Sequence, residues 1–128
     1  MFLVDSFGWI EYFTDGSLAD DYYKYLKKPE DIITPAIVIY EVYKKIKKIK
    51  VEDPSLIALA QIKRTKIIPI DEKIALLAAN LSIKYSLPMA DSLILATAKD
   101  QRAIQLCIEV SGKKYSSTHL VGVQKVAV

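Results

Sequence analysis

One stretch constrains the fold of this chain most: residues 88–98, PMADSLILATA, place a single acid at the start of an apolar segment. Proline favours the first turn of a helix, and the leucine, isoleucine and alanine that follow are typical of a buried helix. Asp91 therefore sits where the chain turns into the core, and a carboxylate there costs free energy unless something binds it. The alternative is that Asp91 only complements the helix dipole, for about 0.3–1 kcal/mol.

The length and composition predict a single domain over residues 1–128. A chain of 128 residues with 52% hydrophobic and 26% charged residues is typical of a folded globular protein. No apolar run is long enough to span a membrane, and residues 1–4 lack the basic leader of a signal peptide, so we expect a cytoplasmic protein. The net charge of +3 permits contact with a polyanion without requiring it.

Cys107 and His119 are the only cysteine and the only histidine. They are too few for an internal disulfide or for the usual ligands of a structural zinc site. Cys107 lies in the apolar run 103–108 and is expected to be a small core residue. Nothing near either residue supports a Cys–His nucleophile. Any catalysis is therefore expected to depend on oxygen ligands.

Short apolar runs alternate with amphipathic segments along the chain. Strands are predicted at residues 1–5, 32–33, 67–70, 104–108 and 121–128. Helices are predicted at residues 9–13, 18–26, 35–50, 56–62, 72–85 and 88–98, with Thr34 as an N-cap, Pro35 at the first helical position and a turn at 52–55. This alternation predicts an α/β fold with a mostly parallel sheet and helices on both faces.

Three acids are predicted at one edge of that sheet. Asp5 and Glu109 end predicted strands, and ligands of open parallel sheets bind outside the strands' carboxyl ends. Asp91 opens a helix whose first turn can reach the same edge. The acids would repel one another unless a hard cation such as Mg²⁺ or Mn²⁺ neutralised them, and such a cation supports phosphodiester hydrolysis. The alternatives are that Asp5 or Ser6 caps the next helix and that Glu109 is a solvated strand end.

Glu41 lies where an apolar half of its helix meets a half with a lysine face. One interpretation pairs it with Lys45, one helical turn later, in a surface ion pair worth about 0.2–0.5 kcal/mol. The apolar turn just before it instead suggests the edge of buried structure.

Four motifs in this order resemble a PIN domain, particularly the toxin of VapBC-type toxin–antitoxin modules. They are residues 1–6 (MFLVDS), 34–41 (TPAIVIYE), 68–71 (IPID) and 87–98 (LPMADSLILATA), and the resemblance covers residues 1 to about 106. It implies a three-layer α/β/α fold and an endoribonuclease that depends on Mg²⁺ or Mn²⁺. By motif position, Asp5, Glu41 and Asp91 would be the catalytic, metal-binding acids, with Ser6 a supporting polar group. The resemblance also implies a cognate antitoxin partner and, commonly, a homodimer.

The chain departs from the family pattern from about residue 107. The family usually supplies a further acid after the strand that follows the Asp91 helix, and we assign Glu109 to that role. Aligning from His119 would instead place Ser117 or Thr118 there. The departure leaves a second hypothesis, a catalytically weakened PIN-like module that binds RNA or a protein. A phosphatase or nucleotidase would need a glycine-rich phosphate loop or a nucleophilic Asp motif, and the sequence has neither.

Overall fold

The computed structural model describes residues 1–49, 52–108 and 123–126. The strands in these residues are β1 (Phe2–Val4), β2 (Ile32–Pro35), β3 (Lys66–Ile68), β4 (Ile104–Ile108) and β5 (Val123–Val126). The α-helices there are α1 (Ser6–Phe13), α2 (Ala19–Leu26), α3 (Ala36–Ile49), α4 (Glu52–Ile62), α5 (Glu72–Tyr85) and α6 (Met89–Asp100). A short 3₁₀ turn, Pro29–Asp31, precedes β2.

The strands form one sheet in the order β3-β2-β1-β4-β5. The first four are parallel, and β5 pairs with β4 in the antiparallel direction. The predicted α/β fold with a mostly parallel sheet flanked by helices is therefore confirmed. The strand order reverses at β1, because β2 lies on one side of it and β4 on the other. Open parallel sheets bind ligands at such a point, outside the carboxyl ends of the two strands.

The core explains why α6 is apolar along most of its length. Its residues from Ile94 to Ala98 are all buried, which fits a helix covered by neighbours on every side. By contrast, α3 buries a single stripe formed by Val38, Val42 and Ile46, which are spaced one helical turn apart. No helix in the described part of the chain is long and apolar enough to cross a membrane.

Gly8 allows α1 to lie close to its neighbours. A Cβ at this position would lie 2.7 Å from Val4 Cγ1 and would also collide with the ring of Tyr22, which is fully buried. Real Cβ atoms do not approach other atoms so closely, so a larger side chain would push α1 away from the sheet. Glycine is therefore needed here for close packing, and this packing holds the start of α1 at the end of β1.

The prediction that Thr34 caps a helix and Pro35 begins it is wrong. Both residues belong to β2 and pair with β3, and α3 begins only at Ala36. The buried Thr34 hydroxyl lies 2.6 Å from the Thr65 hydroxyl, and Thr65 Oγ1 donates to the carbonyl of Ile62 at 2.6 Å. Because Thr65 uses its one proton for that carbonyl, Thr34 is the donor to Thr65. The threonine hydroxyl thus serves tertiary packing and not a helix cap.

The turn predicted at residues 52–55 is also wrong, because α4 already begins at Glu52. Pro54 lies in the first turn of α4, where its missing N–H removes no helical hydrogen bond. The predicted start of the first helix was late as well, since α1 begins at Ser6, directly after Asp5.

Candidate functional site

Asp5 follows β1 directly and is the N-cap of α1. Its backbone is extended, and its Oδ1 accepts a hydrogen bond from the N–H of Gly8 at 2.9 Å. The capping interpretation of Asp5 is therefore confirmed, while that for Ser6 is wrong, because Ser6 is already helical. A carboxylate has about four acceptor sites, so the capping bond does not by itself prevent Asp5 from binding a cation.

Glu41 lies in the middle of α3 and is tied to the start of α1. The Ser6 side chain forms a hydrogen bond with the Glu41 carboxylate, which joins the two helices. Glu41 Oε1 is buried and has no hydrogen-bond partner among the described residues. A buried acceptor without a donor keeps the full cost of its lost hydration. This oxygen is therefore suited to a ligand that the described residues do not supply.

The electrostatic surroundings of Glu41 also point away from a surface role. Burial raises the pKa of the Glu41 carboxyl, the hydrogen bond from Ser6 partly opposes that rise, and the charge of Asp91 adds to it. No ion pair joins Glu41 to Lys45, although both residues lie in the described part of the chain. Glu41 therefore interacts with another acid and not with the lysine that the surface-pair alternative assigned to it.

Asp91 is the acid in the first turn of α6. Pro88 occupies the N-cap position, without a side-chain hydrogen bond to the helix. The helix dipole stabilises a negative charge at this position, whereas the nearby Glu41 carboxylate repels that charge. Because the residues behind Asp91 are buried, the start of α6 is held in place and presents the carboxylate toward α3.

The structure thus brings Asp91, Glu41 and Ser6 together, with Asp5 adjacent to Ser6 in the chain. Within residues 1–49, 52–108 and 123–126, no three acidic, histidine or cysteine side chains converge closely enough to form a complete metal site. The oxygen donors and the unpartnered Glu41 Oε1 nevertheless suit a hard cation such as Mg²⁺ or Mn²⁺. The fourth acid remains a prediction, since Glu109, Ser117, Thr118 and His119 lie outside the described residues.

The sequence analysis identified a lysine face on α3 but not the tyrosines that lie beside it. Ile49 in the same half of the helix is 53% exposed, and Tyr43 contacts Lys47. Lys44 makes the same contact with Tyr40. The available signal was the repeated spacing of a lysine one turn after a tyrosine, which places the two side chains side by side on a helix.

The pKa of Glu41 predicts how the metal-free protein responds to pH. Because the folded-state pKa of Glu41 lies above its ordinary value of 4.5, the protonated carboxyl is favoured in the folded state. The stabilising contribution of the protonated Glu41 carboxyl is complete when the pH is below the ordinary pKa. It is lost as the pH rises through the raised, folded-state pKa. Glu41→Gln does not titrate, so we expect the variant to gain stability over wild type across this window and to remain more stable at neutral pH. Urea unfolding at a series of pH values in chelator measures this, and a difference that does not change with pH would contradict it.

Several solved structures share this fold. A toxin–antitoxin complex from Klebsiella pneumoniae is 28% identical, with a TM-score of 0.68, over 82% of this chain and 83% of that chain. VapC20 of Mycobacterium tuberculosis, described as a sarcin–ricin loop cleaving toxin, is 12% identical, with a TM-score of 0.70, over 80% of this chain and 85% of that chain. VapBC2 from Rickettsia felis, bound to a DNA fragment from its promoter, is 17% identical, with a TM-score of 0.65, over 81% of this chain and 84% of that chain.

At their low identities, the VapC20 and VapBC2 structures show likeness of fold alone. No curated protein sequence is significantly similar to this chain. The sequence profile of the PIN domain matches residues 2–108, which is most of the chain and includes Asp5, Glu41 and Asp91. The chain therefore belongs to the PIN domain family.

Proposed function

We propose that this protein is a Mg²⁺- or Mn²⁺-dependent endoribonuclease that acts in the cytoplasm as the toxin of a toxin–antitoxin pair. The observation that carries the proposal is the Glu41 carboxylate, which has a buried, unpartnered oxygen and lies near the like charge of Asp91. Two neighbouring acids of this kind are stabilised by a cation between them. Membership of the PIN domain family and the likeness to a Klebsiella toxin–antitoxin complex support the choice of reaction.

The residues that would hold the metal are Asp5, Glu41 and Asp91, with Glu109 as the proposed fourth acid. The chemistry that a divalent cation would supply there is activation of water and stabilisation of the charge that develops on the attacked phosphate. The Ser6 hydroxyl orients the Glu41 carboxylate through its hydrogen bond. The capping bond from Gly8 holds the Asp5 side chain at the start of α1. Asp5 and Ser6 would therefore be held by the start of α1, and Ser6 in turn would fix Glu41 in the middle of α3.

The proposed partners are single-stranded RNA as substrate and a cognate antitoxin as inhibitor, and the toxin itself is proposed to form a homodimer. The antitoxin is supported by the Klebsiella relative, which is a toxin–antitoxin complex. Expression of the chain with its neighbouring reading frame, followed by purification and size determination, tests both protein partners.

A second candidate function is a non-catalytic module that binds RNA or a protein. It is favoured by the lack of a complete three-ligand metal site among the described residues. It differs from the first proposal in one respect that can be measured, because it predicts binding without hydrolysis.

Incubation with end-labelled single-stranded RNA tests the proposed activity. We expect discrete fragments in millimolar Mg²⁺ or Mn²⁺ and intact RNA in chelator, because the carboxylates alone do not activate water. The control is the same protein after metal has been added back to the chelated sample. RNA that is bound but stays intact with every metal would refute the ribonuclease and favour the non-catalytic module.

A further inference from the structure

The exposed face of α3 carries a repeated arrangement of lysine and tyrosine. Lys44 Nζ lies 5.3 Å from the centre of the Tyr40 ring and donates a hydrogen bond to its hydroxyl at 3.2 Å. Lys47 Nζ lies at the same 5.3 Å from the Tyr43 ring and 3.4 Å from its hydroxyl. These contacts hold two ammonium groups beside two aromatic rings, so both kinds of group are presented together.

The two pairs form one side of an open groove between α3 and α4. The groove has a volume of about 530 Å³. Its lining surface is almost wholly apolar, so the lysines line it mainly with their aliphatic stems; the lining residues are Ile39, Tyr40, Tyr43, Lys44, Lys47, Lys48 and Leu59. Tyr40 is 58% exposed, so its ring is accessible to a ligand. The apolar lining suits a flat ring, and the exposed Lys44, Lys47 and Lys48, with no acid among the lining residues, suit a negative charge beside that ring.

Two lysines of the groove share an edge of α3 with Glu41 of the candidate site. Residues three, four and seven positions apart on a helix lie on one face, and therefore Lys44 and Lys48 follow Glu41 along one edge of α3. At 1.5 Å per residue this edge extends about 10 Å beyond Glu41. A polymer whose cleaved bond lies at Glu41 can thus continue along the two lysines without leaving α3.

We propose that this groove, the α3 track, binds single-stranded RNA beside the bond to be cut, with Lys44 and Lys48 at phosphates and Tyr40 against a base. The proposal rests on the proposed ribonuclease function, because it takes RNA as the substrate. A positively charged groove with aromatic side chains is the usual arrangement for single-stranded nucleic acids, since every base has a face that can stack. The track is a binding surface and contributes no group to the chemical step.

RNA affinity in chelator tests the α3 track without requiring catalysis. The double variant Lys44→Gln/Lys48→Gln removes two phosphate contacts, so the slope of log affinity against log salt should fall by about 1.4 and binding near physiological salt should weaken roughly tenfold. The matched control is Lys84→Gln, because Lys84 on α5 also lies beside a tyrosine ring, at 5.2 Å, but outside the groove. We expect Lys84→Gln to bind as wild type does.

The tyrosine ring is tested separately. Tyr40→Leu removes a stacking surface and should weaken RNA binding by at least about fivefold with an unchanged salt slope. Tyr40→Phe keeps the ring and loses only the hydroxyl that accepts from Lys44, so it should bind nearly as well as wild type. All of these side chains are on the surface, and equal melting temperatures would confirm that the variants fold.

Two results would overturn the α3 track. One is a double variant that binds RNA as tightly as Lys84→Gln, and the other is a wild-type protein that binds no single-stranded RNA in chelator. If the double variant instead loses an acidic protein partner and keeps RNA affinity, the groove is a protein-docking surface and the inference is wrong. Wild type that binds RNA through the track but cuts none with any metal would refute the ribonuclease alone.

Discussion

Asp5→Asn is expected to leave the protein folded and to lower the rate of RNA cleavage at least about 100-fold. Loss of a group in the outer shell of a metal costs up to about this factor, and Asp5 is proposed as a direct ligand. Asparagine caps helices about as well as aspartate, so the bond from the Gly8 N–H is kept while the negative charge is lost. Asp5→Ala loses both the capping hydrogen bond and the negative charge, so its folded state should be about 1 kcal/mol less stable than that of wild type. The pair of variants therefore separates the capping role from the proposed metal role, with initial cleavage rates and urea unfolding as the two measurements.

Asp71→Asn is the matched control for Asp5→Asn. Asp71 caps α5 with the same geometry, accepting from the Ile74 N–H at 2.9 Å, but it is not among the proposed metal ligands. Its variant should cut RNA at the wild-type rate. Glu41→Gln and Asp91→Asn should be as inactive as Asp5→Asn. If Asp5→Asn keeps full activity, Asp5 serves only as a helix cap, and its assignment as a metal ligand is wrong.

Metal should stabilise the folded protein by about 2.7 kcal/mol at a hundredfold excess over its dissociation constant. The physical reason is that, without metal, the like charges of Glu41 and Asp91 stay close together and Glu41 Oε1 has no partner in the part of the chain that the structure describes. Asp91→Asn should abolish this stabilisation. Its metal-free form should be at least as stable as wild type, because relief of the repulsion offsets the dipole interaction of about 0.3–1 kcal/mol.

Melting curves with Mg²⁺, with Mn²⁺ and with chelator measure this response. Asp71→Asn again provides the control, since it should keep the full metal effect. Wild-type curves that coincide in chelator and in millimolar metal would remove the basis for a metal site. An Asp91→Asn variant that is clearly less stable than wild type in chelator would show that Asp91 acts mainly through the helix dipole.

The sequence located those site residues whose position depends on the local chain. Asp5 follows β1 and Asp91 lies in the first turn of α6, and both positions have local signals: a short apolar run before Asp5, and a proline before the apolar run of α6. The surroundings of Glu41 depend on which faces of α1, α3 and α6 meet. Periodicity reports that a helix has a buried face but not which residue of another helix lies against it, so the bond from Ser6 could not be predicted.

The errors in the helix boundaries have the same cause. Thr34 and Pro35 are good residues for the start of a helix, but pairing with β3 and the bond to Thr65 place them in a strand. Local preference was overridden by a partner from a distant part of the chain. At α4, Pro54 fits both a turn and a first helical turn, and only the helix around it distinguishes the two.

The chain of hydroxyl groups from Thr34 through Thr65 to the Ile62 carbonyl fixes one end of the α3 track. Thr34 lies in β2, which leads directly into α3, and Ile62 is the last residue of α4. The two walls of the groove are therefore fastened together at the end where α3 begins and α4 stops. The other end of the track is closed by the chain itself, since only residues 50 and 51 separate the end of α3 from the start of α4. Because α3 and α4 are joined at both ends, the width of the α3 track is set by the fold before any ligand binds.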